Sequence, residues 1–198
     1  MRRLFAALML AALLVPLSAR AQDTPSGIRG ELVASMSDAG SKIQELAGAI
    51  PDAKYTWKPS KDVRSAGQVF LHVVQANYLI PSYYGMKPPM SMEDLGKLDT
   101  QTMEPAKVRQ MLKDSYAWAS KTVADTPDAD LEAPVTFFGM TMTKRAGLLL
   151  LTSHSHEHLG QLIAYARTNN IVPPWTAREL AAKKKNSEEK KAAEKSGK

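Results

Sequence analysis

In residues 26–50 the apolar side chains Leu32, Met36, Ile43, Leu46 and Ile50 recur mostly at three- and four-residue steps, the repeat of a helix with one buried stripe. Pro51 stops that pattern, and a loop containing Y55-T-W-K-P-S60 follows. A second helical pattern starts at Ser65, a residue suited to an N-cap, and runs to about Tyr84 before Gly85 and the Pro88-Pro89 pair. A third opens on Glu104-Pro105, a proline placed for the first helical turn, and carries Val108, Met111, Leu112, Tyr116 and Ala119 to about Ala124. The stretch A133-P-V-T-F-F-G-M-T-M142 is β-prone and predicts a short hairpin or an extended arm. The fourth helix is expected from about Thr143 to Thr168, closed by Asn169-Asn170 and then Pro173-Pro174-Trp175. Four helices of about 20 residues, each with an apolar stripe, predict an all-α four-helix bundle.

The two ends have a different character. Residues 1–21 begin with Arg2 and Arg3, continue through an apolar run from Leu4 to Leu17, and finish on A19-R-A21. A charged start, an apolar middle and a small-x-small cleavage site predict an export signal cut after Ala21, hence a periplasmic or secreted protein. The apolar run is shorter than the roughly 20 residues a membrane span requires. Residues 181–198 are rich in lysine and glutamate, with nothing larger than alanine to enter a core, and predict a charged disordered tail. That leaves 22–180 as the folded domain.

Charge and cysteine content remove several classes of function. The chain has 198 residues, 44% of them hydrophobic, and a formal charge of +6. The leader contributes +3 and residues 183–198 contribute +4, so residues 22–182 carry −1. The basic character belongs to the ends, and the folded part offers no basic face for nucleic acid. With no cysteine there is no disulfide, thiolate metal site, cysteine nucleophile or lipid-anchoring cysteine.

The chemistry concentrates in H154-S-H-E-H-L-G-Q161, where three of the four histidines fall within five residues of an apolar helix. At about 100° per residue, His154 and His158 lie about 40° apart, on the face shared with Gly147, Leu151, Leu162 and Tyr165. His156 is about 160° away from His158, toward solvent or a partner, and Glu157 lies on the flank. The fourth histidine, His72, falls on the inward face of the second helix with Val69, Ala76 and Leu79. Each buried imidazole needs a hydrogen-bond partner or a metal ion. Three imidazoles from two helices supply three corners of a coordination shell and leave a fourth for water or substrate. His72, His154 and His158 are therefore candidate ligands of a divalent ion, with zinc, nickel and iron(II) not separated by imidazole ligation alone. The competing reading is a set of core histidines satisfied by hydrogen bonds. The run is not the H-E-x-x-H protease signature, because Glu157 directly precedes the second ligand.

Around these residues, Glu157 is a candidate general base and also an ordinary solvated glutamate. Tyr165 and Gln161 follow His158 on nearly the same face and could orient a ligand imidazole or pack between helices. Gln68 and Gln75 flank His72. Trp57 and Trp175 sit in proline-rich segments, where they staple loops onto a bundle.

The motifs W57-K-P-S60, R64-S-A-G-Q-V-F-L-H72 and H154-x-x-E-H158-L-G-Q-L-I-A-Y-A-R167, followed by N169-N-I-V and Pro173-Pro174, resemble the DinB/YfiT-like family of metalloenzymes in order and spacing. The resemblance spans about Ser26 to Pro174. It implies an up-down-down-up bundle, often a homodimer, with a metal held by three histidines, here His72, His154 and His158. His156 lies outside that pattern, and Glu157 stands where many members carry a further histidine. Some relatives are thiol-dependent S-transferases or isomerases and others are read as hydrolases. The periplasm is oxidising and ill-suited to a reduced thiol cosubstrate, which favours water as the nucleophile. The function expected is thus that of an exported metal-dependent hydrolase or transferase for a small molecule, with no membrane span. The alternatives are a non-catalytic metal- or ligand-binding bundle and an envelope stress or interaction protein with a vestigial site.

Overall fold

The computed structural model describes residues 26–196, so the expected leader and its cleavage site lie outside the described residues. Four long helices form the bundle: α1 (Gly27–Ala49), α2 (Ala66–Ser82), α4 (Pro105–Asp125) and α5 (Lys144–Thr168). A short helix α3 (Met92–Lys97) and a 3-10 turn at Leu98–Thr100 lie on the long connection from α2 to α4. Strands β1 (Pro134–Phe137) and β2 (Met140–Thr143) precede α5, and α6 (Pro174–Ser196) ends the described chain.

Helix starts follow the local chemistry. Ser65 and Gln68 form a reciprocal capping box at α2, with the Gln68 backbone donating to Ser65 Oγ at 3.3 Å and the Ser65 backbone donating to Gln68 Oε1 at 3.0 Å. Thr143 caps α5 by accepting from the Ala146 amide at 3.1 Å, and Pro105 occupies the first turn of α4. The expected extended stretch is an antiparallel hairpin that pairs Val135 with Met142 and Thr136 with Thr141. Its tip bends through Phe138 and Gly139, with φ of 46° and 80°.

Contacts along the helices give their directions. Arg29 at the start of α1 bonds Ala124 O at the end of α4, and Arg109 near the start of α4 bonds Asp52 just past α1, so these two helices are antiparallel. Tyr165 near the end of α5 bonds Arg64 just ahead of α2, which makes that pair antiparallel as well. Ser35 meets His156, and Glu45 meets Arg178 just beyond α5, so α1 and α5 run the same way. The result is the up-down-down-up arrangement, with α1 packed on α4 and α5, and α2 on the same two. Met36, Ile43, Leu46, Phe70, Leu112, Leu148, Leu151 and Leu162 fill the space between them with no more than 1% exposure each. Burial of each such side chain stabilises the fold by about 1.5–3 kcal/mol, so the helix stripes themselves fix which faces meet.

One expectation is corrected. Residues 181–198 are not a disordered tail over their described part: α6 continues to Ser196. Alanine, lysine and glutamate are strong helix formers, no glycine or proline interrupts them before Gly197, and Lys184 and Lys185 lie over Glu188 and Glu189 at i,i+4. Lack of core-forming residues makes this stretch solvated, which it is, but does not make it non-helical. Among the described residues, no helix is long and apolar enough to cross a membrane.

Candidate metal centre

α2 and α5 bring three imidazoles together. His72 projects from the second turn of α2, and His154 and His158 project one turn apart from the middle of α5. Ring centroids are 5.0 Å apart for His72 and His154, 4.7 Å for His72 and His158, and 4.4 Å for His154 and His158. The rings point the same nitrogen inward: His154 Nε2 lies 3.2 Å from His72 Nε2 and 3.2 Å from His158 Nε2. Ligand atoms of all three residues lie within 4.8 Å of one another.

The outward nitrogens fix the tautomers. His158 Nδ1 lies 2.8 Å from Gln161 Oε1, whose own amide Nε2 donates to Tyr165 Oη at 3.1 Å. Tyr165 in turn donates to Arg64 O at 3.2 Å, and Trp57 packs edge-on against its ring at 5.3 Å. His72 Nδ1 faces two acceptors, Gln75 Oε1 at 3.1 Å and Asp99 Oδ2 at 3.2 Å. The Gln75 amide nitrogen is committed to Leu95 O at 2.6 Å, so its oxygen is the atom turned to the histidine. Both Nδ1 atoms therefore carry the proton, and Nε2 of His72 and of His158 each present a lone pair to the centre.

That arrangement suits a positive charge at its centre. His154 Nε2 has at most one proton to share between two facing acceptors, so at least one pair of lone pairs stays opposed at 3.2 Å. Two nitrogens bound to one tetrahedral zinc-like ion at about 2.0–2.1 Å are roughly 3.3 Å apart, close to the observed separation. The protein also disfavours the charged form of two of the rings, His154 and His72. Burial, followed by the mutual proximity of His158 and His72 and by the Arg64 guanidinium, holds the His154 pKa down at about 3. Burial likewise lowers that of His72, with Arg64 and His158 adding to it and Asp99 and Gln75 opposing it. Neutral imidazoles with inward lone pairs could hold a divalent cation.

The other residues singled out in the sequence divide clearly. Tyr165 is buried and bonded one step behind His158. The Glu157 side chain is exposed and makes no hydrogen bond or ion pair among the described residues. His156 is exposed on the far side of α5, 2.9 Å from Ser35 Oγ. Gln68 caps α2 and reaches Thr100 O at 3.3 Å. Trp57 and Trp175 both pack against the core as loop or helix-end anchors. Two residues with no forecast role stand beside the cluster. Asp99, from the 3-10 turn after α3, contacts His72, and Arg64 binds Asp99 through Nε at 3.0 Å and Nη2 at 2.5 Å. Asp99 had no sequence signal, lying 27 residues from His72 in a segment without periodicity, and Arg64 appeared only as the first residue of the motif R64-S-A-G-Q-V-F-L-H72. Arg64, Asp99 and Gln161 also line an open cavity of about 530 Å³ together with Asp62, Gln68 and Thr100.

The DinB superfamily model matches residues 36–162. Solved structures with the same fold include a DinB-like protein from Bacillus cereus ATCC 10987, with 20% identity over 74% of this chain and 95% of that one at a TM-score of 0.64. A conserved protein from Enterococcus faecalis has 14% identity over 72% of this chain and 97% of that one, TM-score 0.61. YfiT from Bacillus subtilis, described as "a probable metal-dependent hydrolase with an unusual four-helix bundle topology", has 14% identity over 76% of this chain and 93% of that one, TM-score 0.59. No curated protein matches the chain.

Proposed function

Because the chain belongs to the DinB superfamily, we propose that it is an exported metal-dependent enzyme, a hydrolase or transferase for a small molecule, with one divalent ion held by His72, His154 and His158. The observation that carries this reading is the inward convergence of three Nε2 atoms, at least two of them obliged to be acceptors, with 3.2 Å separations. Three protein ligands leave a coordination position for a reactant, the pattern of catalytic sites as opposed to closed structural ones. A divalent ion there would supply Lewis acidity, lowering the pKa of water toward neutrality and polarising a substrate oxygen.

The chain's own residues do the holding and orienting. Gln161, backed by Tyr165, keeps the His158 proton on Nδ1, and the bundle core excludes water from the buried side of the rings. The cavity beside Arg64 and Gln161 gives a small molecule room next to this shell. Zinc, nickel and iron(II) all suit an imidazole set. Hydrolysis is favoured over thiol transfer because residues 1–21 read as an export signal and the periplasm is oxidising. The description of YfiT, a fold relative, is consistent with the same reaction class.

The test is elemental analysis of protein isolated without chelator, joined to a screen of ester, amide and thiol-addition substrates with and without added metal. About one divalent ion per chain, and turnover that disappears with chelator, is the expected result. Protein that takes up no divalent ion at any concentration overturns it. Export is checked by the mass of the mature chain, which should begin at Gln22.

A further inference from the structure

Asp99 belongs to neither histidine helix. It is carried in by the turn Leu98–Thr100, and its side chain is only 11% exposed. One oxygen, Oδ2, accepts from Arg64 Nε at 3.0 Å and Nη2 at 2.5 Å while also facing His72 Nδ1 at 3.2 Å. The other, Oδ1, lies 3.5 Å from Gln75 Nε2. We propose that Asp99 is a positioning residue for the metal centre: it holds His72 in the Nδ1–H tautomer, with the ring turned so that Nε2 faces His154, and Arg64 is its counter-charge.

The physical case rests on what His72 does without it. A neutral imidazole protonated on Nε2 would aim a hydrogen at the other two histidines and remove one of the three lone pairs. Gln75 also accepts from Nδ1, but as a neutral amide; a bond to a carboxylate is roughly twice as strong. A carboxylate behind a ligand imidazole also raises the basicity of the ligating nitrogen. A nearly buried carboxylate requires a compensating cation, which explains why Arg64, immediately ahead of the α2 cap, spends two donors on one oxygen. The arrangement ties the α3–α4 connection to the site through one side chain, so the three histidines are held from three directions: α2, α5 and the turn after α3. His158 has the corresponding support from Gln161, an amide.

The inference rests on the proposed metal site for its functional meaning, yet its structural half is measured without metal. In chelator-treated, 15N-labelled protein, long-range 1H–15N correlation spectra should assign His72 as protonated on Nδ1 and bare on Nε2. Asp99→Ala should shift that ring toward the Nε2–H form, and Asp62→Asn, which changes a carboxylate lining the same cavity without a bond to His72, should not. Zinc affinity, from competition with a chromophoric chelator, should fall about 10- to 100-fold in Asp99→Ala and by less in Asp99→Asn, which keeps an acceptor. An Asp99→Ala protein with the wild-type tautomer and affinity would overturn the proposal and leave Gln75 as sufficient. If Asp99→Ala does not fold, the near-isosteric Asp99→Asn carries the test, and unchanged affinity there overturns it too. Wild-type protein that binds none of zinc, nickel or iron(II) would defeat the function proposed above, while the tautomer spectra would still decide what Asp99 does.

Discussion

His156 Nε2 and Ser35 Oγ lie 2.9 Å apart on the side of α5 that faces α1, turned away from the imidazoles two residues on either side. The three histidines of one five-residue stretch thus divide by helical phase alone. His158→Ala should abolish most divalent-metal uptake, because it removes one of the three proposed ligands. His156→Ala should leave metal content unchanged. Elemental analysis of both variants checks the pair; a large loss in His156→Ala would mean that the exposed ring takes part.

The second arm of support is Gln161. Replacing it with leucine keeps the bulk, removes the acceptor 2.8 Å from His158 Nδ1 and leaves Tyr165 Oη without its donor. Zinc affinity should fall by about tenfold or more. Tyr165→Phe keeps the amide acceptor in place and should cost less. The competition assay that measures Asp99 variants ranks these two, and equal losses would show that the tyrosine, not the amide, sets the histidine.

The acid response of metal-free protein has a definite sign. The His154 pKa is held down to about 3 by burial, against an ordinary value of 6.5. Between those values the unfolded chain binds more protons than the folded one, so stability falls as pH drops below about 6.5 and is unaffected by this group above it. His72 is shifted in the same direction and adds to the effect. Melting curves of chelator-treated protein from pH 8 to pH 4 should show the decline, and His154→Gln should flatten it. A flat wild-type profile would mean that the imidazoles are hydrated and free to protonate.

Packing near the hairpin gives a stability prediction independent of metal. A Cβ built on Gly147 would lie 2.0 Å from the hydroxyl oxygen of Tyr84 and 2.2 Å from Cζ. Gly147→Ala should therefore displace the Tyr84 ring and destabilise the fold by about 1–3 kcal/mol, in spite of the better helix propensity of alanine. In Tyr84→Ala protein the same change should cost less, since the obstructing ring is gone. Denaturant unfolding of the double-mutant cycle measures the coupling.

What the sequence made legible followed from periodicity and capping. The stripe of Met36, Ile43 and Leu46, the Ser65 cap and the Pro105 start each arise within a single helix, so local chemistry identifies them without knowledge of the partner surface. The inward pair His154 and His158 is legible for the same reason. Asp99 was not, because its position depends on how a 22-residue connection between α2 and α4 folds back, a matter of tertiary packing with no repeat to read. Arg64 appeared only as part of a motif, its salt bridge to Asp99 being hidden by the same long connection. The helical continuation of α6 was obscured differently: apolar patterning reports burial, and a helix that buries almost nothing leaves no stripe.

That last point yields a test of where the folded domain ends. Trp175 packs against the core and Arg178 bridges to Glu45 with Nη1 to Oε2 at 3.0 Å, so the first turns of α6 belong to the bundle. From Arg178 through Ala193 every side chain is exposed, and among the described residues Lys184 and Lys185 pair only within their own helix. Such i,i+4 pairs contribute about 0.2–0.5 kcal/mol each to the helix and nothing to the core. Truncation after Ala182 should therefore lower the helical signal in far-ultraviolet circular dichroism while leaving the unfolding free energy within about 0.5 kcal/mol of the full chain. Truncation after Ile171 removes Trp175 and the Arg178 bridge, and should destabilise the bundle by more than that margin. A loss on the shorter deletion equal to that on the longer one would place lysine-rich residues in contact with the core, against the exposure seen along α6.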